Sequence, residues 1–263
     1  MMIEMITASP YLTGAATAAV LLTGVWIASL ILTDASIIDM FWGGGFALIA
    51  LTTLLTSENI SLVGTLTGLA VIMWGARLWL HLFTRWRREG EEDYRYQKMR
   101  AHHGDKFWWR SIFTVFGFQG LLMWLVSMPF MAAFANGGPA ALPELSFAFL
   151  LLAMGGLYME ASADIQLTKF RAMKDKPPLL DSGWWKYTRH PNYFGDAVFW
   201  WGIYGAVVAA TPEAIWTIFA PIIMNYLLVN VSGAAMLERS LIKKPGYEEY
   251  MKRTNRFVPK LWG

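Results

Sequence analysis

The chain has 263 residues, 56% of them hydrophobic and only 16% charged, with a mean hydropathy of +0.37. Soluble domains carry about a quarter charged residues, so this balance argues against a soluble enzyme or a nucleic-acid-binding module and for a membrane protein. Cysteine is absent, which excludes disulfides, thiolate nucleophiles and thiolate-held metals.

Met1 to Pro10 carries Glu4 and no Lys or Arg, so no cleavable signal peptide is expected. A membrane span needs about 20 apolar residues to cross ~30 Å of hydrocarbon. Seven segments meet that length in chain order: 12–32, 37–55, 62–83, 112–134, 145–171, 194–210 and 215–235. The fifth is apolar to Met159 and polar beyond it. Gly137-Gly138-Pro139 and Thr211-Pro212 mark turns between spans. The expected fold class is therefore all-α, a single polytopic transmembrane helix bundle of about seven helices.

Three stretches interrupt the apolar pattern, and the basic residues collect in them. The first holds Arg85, Arg87, Arg88, Arg95, Lys98, Arg100, Lys106 and Arg110. The second holds Lys169, Arg171, Lys174, Lys176, Lys186 and Arg189. The tail holds Arg239, Lys243, Lys244, Lys252, Arg253, Arg256 and Lys260, and Arg77 completes the 22. Short loops rich in Lys and Arg stay cytoplasmic. Segments 84–110, 172–193 and 239–263 are thus expected in the cytoplasm, with the N-terminus outside, in the inner membrane of a bacterium. Attraction to anionic membrane lipid, at ~1 kcal/mol per charge, explains such loops without any ligand. The other explanation is an anionic ligand held among them.

Charges inside spans are costly and mark function by default. Asp39, Arg77, Glu160, Asp164, Asp196 and Glu238 are of this kind. Glu160, Asp164 and Arg171, spaced i, i+4, i+11, share one side of a helix, with Gln166 and Lys169 nearby. They form either an ion-paired helix end or the polar wall of a cavity. Arg189-His190-Pro191-Asn192-Tyr193-Phe194-Gly195-Asp196 then enters the sixth span. Pro191 suits a helix start, Gly195 permits close backbone approach, and His190 and Asn192 both donate and accept hydrogen bonds. Loop 89–96, dense in charge and bearing Tyr94 and Tyr96, is either a cover for a cofactor or a solvated loop. His81, His102 and His103 do not share a metal-binding spacing, so no metal is expected.

The stretch from Glu160 to Asp196 resembles the C-terminal domain of the steroid 5α-reductase superfamily, and the chain resembles a bacterial branch described as a domain of unknown function. In that family's helix motif, Asn-x-x-Ser-Asp-x-x-Leu-x-x-Leu-Arg, Asp164, Leu167 and Arg171 match while Glu160 and Ala163 depart. In its Pro-Asn-Tyr-Leu-Gly-Glu motif, Pro191, Asn192, Tyr193 and Gly195 match, and Phe194 and Asp196 are conservative replacements. The resemblance implies NADPH as cofactor, contacted by Asp164, Arg171, Asn192, Tyr193 and Asp196. Lys169, His190, Glu238 and Arg239 complete the expected cofactor-binding set. At the substrate end, Leu82 stands where the family has Tyr, and Asp39 is the only acid of the second span.

The expected function is NADPH-dependent reduction of the C=C bond of a lipophilic α,β-unsaturated carbonyl compound reached through membrane lipid. Asp39 and Glu160 are the candidate acids for polarising the carbonyl. Arg-His-Pro-x-Tyr-x-Gly also resembles the isoprenylcysteine and phospholipid methyltransferases, which implies S-adenosylmethionine as the alternative cofactor. A non-catalytic membrane scaffold is the third reading.

Overall fold

The computed structural model describes residues 9–231 and 233–260, apart from the side chains of Glu89, Ala235, Arg239 and Ser240. The described residues form helices joined by turns and loops, and no sheet; one isolated parallel bridge joins Thr188 to Asn255. Six described segments are long and apolar enough to cross a membrane. They are Pro10–Leu32, Ile37–Thr56, Leu62–Arg88, Tyr94–Val126, Pro143–Ala172 and Pro212–Glu238. The fold is a polytopic helical bundle. The expected span at 194–210 is also a helix, Pro191–Ala210, whose Asn, Asp, Trp and Tyr content leaves it outside those six.

Helices begin and end where the sequence provides caps. Helix α1 (Pro10–Leu32) starts on a proline, whose missing N–H costs nothing in the first turn. Helix α2 (Ile37–Thr56) follows after a short turn. Helix α3 (Leu62–Glu89) is capped by the Ser61 hydroxyl, which accepts from the Gly64 N–H at 3.0 Å. It ends on Gly90 at φ +71°, with Arg87 and Arg88 facing the negative end of its dipole. Helix α4 (Tyr94–His103) is capped by the Asp93 carboxylate, which accepts from the Arg95 N–H at 2.9 Å.

The fourth span differs from expectation. Helical structure begins at Tyr94 and runs through α5 (Phe107–Ser111), a π-helical stretch at 112–117 and α6 (Phe118–Val126). It breaks before α7 (Met128–Phe134), because Pro129 has no N–H to continue the ladder. Much of the stretch expected as cytoplasmic loop, 84–110, is therefore helix. The fifth span is one helix, α8 (Pro143–Ala172), and the sixth is α9 (Pro191–Ala210). The seventh is α10 (Phe219–Tyr226), a π-helical stretch at 227–231 and α11 (Ala234–Leu241). Helix α12 (Tyr247–Arg253) lies in the tail.

The chain divides into two compact units. The first comprises Met1–Pro143 and Val207–Thr217, the second Glu144–Ala206 and Ile218–Gly263. In the first unit Phe46, Ile49, Trp74, Met123 and Phe130 are fully buried, and the rings of Trp42, Phe46 and Trp74 meet edge to face. In the second, α8 and α9 cross closely at Gly156 and Gly195. A Cβ on Gly195 would stand 2.6 Å from the Glu160 backbone N.

Candidate functional site

In the second unit the turn before α9 is held from three sides. The Arg189 guanidinium, 7% exposed, donates to Glu238 Oε1 at 2.7 Å and to the Thr254 carbonyl at 2.6 Å. Glu238 also takes Arg256 Nε at 3.3 Å and His190 Nε2 at 3.4 Å. The tail adds backbone ties: Arg189 N–H donates to the Asn255 carbonyl and Lys260 N–H to the Tyr187 carbonyl. The Tyr250 hydroxyl donates to the Trp185 carbonyl at 2.5 Å. On the α8 side, Trp184 donates its indole N–H to the Ser162 hydroxyl at 2.7 Å and its backbone N–H to Gln166 Oε1 at 3.1 Å.

Burial pushes the His190 imidazole below its ordinary range, against the opposing pull of Glu238, so it stands neutral at pH 7. Burial, with the nearby Glu238 charge, pushes the Tyr247 phenol up to about 12.

These ties deliver Asn192 to α8. Its amide nitrogen donates to Asp164 Oδ1 at 3.0 Å, which fixes which amide atom is oxygen. That oxygen is buried and meets no donor among the described residues. Tyr193 stacks on His190, with ring centroids 5.7 Å apart and planes 17° apart. Asp196 and Glu160 are buried in the same unit. Lys169 and Arg171 are exposed in the last turn of α8, on either side of the buried Phe170. So Glu160 and Asp164 share a buried face, as the spacing predicts, while Arg171 leaves it. The Arg239 side chain lies outside the described residues.

His190 and Glu238 belong to the expected cofactor-binding set. Both are engaged in the brace around Arg189, and Arg256, absent from the expected set, joins them.

Asp39 belongs to the first unit and Glu160 to the second. Asp39 lies in the first turn of α2, where its Oδ1 accepts from the Tyr96 hydroxyl at 2.6 Å and its Oδ2 pairs with Arg95. Both oxygens therefore act as acceptors, one from the Tyr96 hydroxyl and one from the Arg95 guanidinium. Gln119 Nε2 reaches the Tyr96 oxygen at 3.4 Å. Arg95 is held in turn by Asp93 at 2.9 Å, and Arg95 pulls the Asp93 carboxyl below its ordinary range despite partial burial. Within 89–96, Gly90, Glu91 and Tyr94 are exposed, while Glu92, Asp93, Arg95 and Tyr96 are tied down. Glu92 accepts from the Ala35 N–H at 2.7 Å and pairs with Arg100 at 2.8 Å, pinning the segment to the turn between α1 and α2. No group of three His, Asp or Glu able to hold a metal occurs among the described residues.

A family model described as a protein of unknown function (DUF1295) matches residues 25–254. An uncharacterized protein of Schizosaccharomyces pombe is 28% identical over 217 residues, which cover 73% of this chain. The match spans 62% of that relative's length. No solved structure matches the chain.

Proposed function

With residues 25–254 matched, the chain belongs to the DUF1295 family, and we propose that it is an NADPH-dependent membrane reductase acting on the C=C bond of a lipophilic α,β-unsaturated carbonyl compound. The observation that carries this reading is the Asn192 side chain. Asp164 holds its amide nitrogen, and its oxygen is a buried acceptor without a donor among the described residues. Leaving such an acceptor unmatched costs about 1–3 kcal/mol. A ligand N–H removes that cost, and the nicotinamide carboxamide and the adenine amine each supply one. Lys169 and Arg171, exposed on the next turns of α8, offer positive charge for phosphate.

When bound, NADPH supplies a hydride. The residues of the second unit bind and orient: Asp164 fixes Asn192, and the Arg189–Glu238–Arg256 brace fixes the turn that carries it. The three basic stretches face the cytoplasm in this reading, where the nucleotide is available, and the N-terminus lies outside. The membrane is the bacterial inner membrane, and a lipophilic substrate arrives through it.

Protein purified in detergent should gain thermal stability from NADPH by mass action, about 2.7 kcal/mol at a hundred times Kd. Asn192→Ala should abolish the gain without lowering the melting temperature of the ligand-free protein. Stabilisation by S-adenosylmethionine and not by NADPH would replace the reductase with a methyltransferase. Stabilisation by neither would leave a scaffold.

A further inference from the structure

The basic and aromatic run from Lys98 to Arg110 has no part in the nucleotide chemistry above, and two hydrogen bonds set its depth against α1. Arg100 donates to the Thr33 carbonyl, at the end of α1, at 3.3 Å. The Trp26 indole, within α1, donates to the Trp108 carbonyl at 2.9 Å. The chain therefore descends along α1 between these two ties, and Arg110 follows Trp108. Beside it α1 exposes Ile27, Leu30 and Ile31, a surface that faces lipid in a membrane bundle. Arg110 is thus carried below the end of a span, where a charge without a counter-charge is costly.

Its neighbours hold it without neutralising it. Arginine only donates, so His103 Nδ1, which meets the Arg110 guanidinium at 3.1 Å, is the acceptor, and that imidazole is neutral with its proton on Nε2. The guanidinium also lies over the Trp109 ring, 5.5 Å from its centroid. Among the described residues no carboxylate pairs with Lys98, Lys106 or Arg110. Arg100 is matched by Glu92. Asp105 alone then stands against Lys98, Lys106 and Arg110, so residues 98–110 keep two positive charges in excess.

Below Arg110 the surface turns apolar. Phe113, Phe118 and Leu121 are exposed, Phe113 to 68%. A cation fixed between two rings, above an exposed apolar helix surface, has the layout of a phospholipid in reverse: phosphate to guanidinium, acyl chain to rings. The excess positive charge repels the ammonium of a choline head and accepts a head group whose only charge is its phosphate.

We propose that this surface of the first unit binds one anionic glycerophospholipid from the leaflet in which α1 ends, independently of the nucleotide reading. Arg110 and Lys106 hold its phosphate, and an acyl chain lies along Phe113. With one side on His103, the guanidinium keeps further N–H donors for two phosphate oxygens. Lys106, four residues earlier, is its neighbour on the helix surface. Diffuse attraction of basic loops to a membrane differs from this, because every surface cation supplies it alike.

The test is native mass spectrometry of the delipidated whole protein in detergent, titrated with phosphatidylglycerol and phosphatidylcholine of the same chains. The first phosphatidylglycerol should bind about tenfold more tightly than the first phosphatidylcholine, the factor that 1.4 kcal/mol represents. Arg110→Gln should remove this preference and Lys106→Gln should reduce it about threefold, half of that free energy. Lys174→Ala, which removes an exposed cation just after α8, should leave it intact. Equal affinity for the two lipids, a preference that survives Arg110→Gln, or an equal loss in Lys174→Ala would each overturn the proposal. Displacement of phosphatidylglycerol by glycerol phosphate at equal concentration would overturn it too, by making the ligand a free phosphate. If Arg110→Gln does not fold, Lys106→Gln and the glycerol phosphate competition decide.

Discussion

Arg189 and Arg253 both sit in ion pairs of the second unit, and their surroundings set very different worths. Arg189 is buried against Glu238 and backbone carbonyls, whereas the Arg253 and Asp181 side chains are 60% and 44% exposed. Removing one partner of a buried pair strands the other and costs about 3–5 kcal/mol, while exposed pairs are worth 0–1 kcal/mol. Arg189→Met should therefore lower the melting temperature by ~10 °C, and Arg253→Ala by no more than ~2 °C, in parallel thermal scans. At this scale the sequence is legible where polar residues are neighbours in the chain. The run from Arg189 to Asp196 stands out by composition, and it carries Asn192, whose buried amide oxygen meets no donor among the described residues. Pairings made in space are not legible. Tyr96 and Asp39 are 57 residues apart, and nothing in either neighbourhood names the other.

Among the elements, α8 is readable almost to its ends, because apolar content and a prolyl start bound it: 145–171 expected, Pro143–Ala172 found. The helix from Tyr94 to Ser111 escapes a hydropathy reading. Its arginines look like loop charge, and only the fold shows Arg95 and Arg100 neutralised by Asp39, Asp93 and Glu92. The crossing of α8 and α9 yields a sharper expectation. A Cβ at Gly195 would lie 2.6 Å from the Glu160 N and 2.7 Å from the Gly156 O, both backbone atoms that cannot turn aside. Gly195→Ala should cost about 1–3 kcal/mol and weaken NADPH stabilisation, because the same crossing carries Asp164 and Asn192. Gly24, with nothing within 4 Å of its would-be Cβ, is the control. Gly24→Ala should leave the melting temperature unchanged or slightly raised.

For the molecule as a whole, sidedness is the property that the charge distribution predicts. The absence of cysteine makes the wild-type chain a ready background for single-cysteine labelling. Ala135, just after α7, and Lys174, just after α8, are exposed, and the expected topology puts them on opposite sides of the membrane. In intact cells a membrane-impermeant maleimide should label Ala135→Cys and spare Lys174→Cys, and permeabilisation should expose the second. The opposite pattern would invert the orientation assigned to the basic stretches and overturn the proposal that a cytoplasmic nucleotide reaches Asn192. Membrane character and helix number to within one are properties of summed composition, which is why one sequence suffices for them. The division into two units is not legible in that way, since it depends on which helices touch.

The brace around Glu238 also bears on inheritance. One carboxylate answers two guanidiniums and an imidazole drawn from two separate stretches of chain. Losing it alone leaves buried positive charge repelling itself, and losing Arg189 alone leaves the acid short of its buried partner. Neither change is a passable single step. Across the DUF1295 family, positions 189, 238 and 256 should therefore covary, changing as a block or staying fixed.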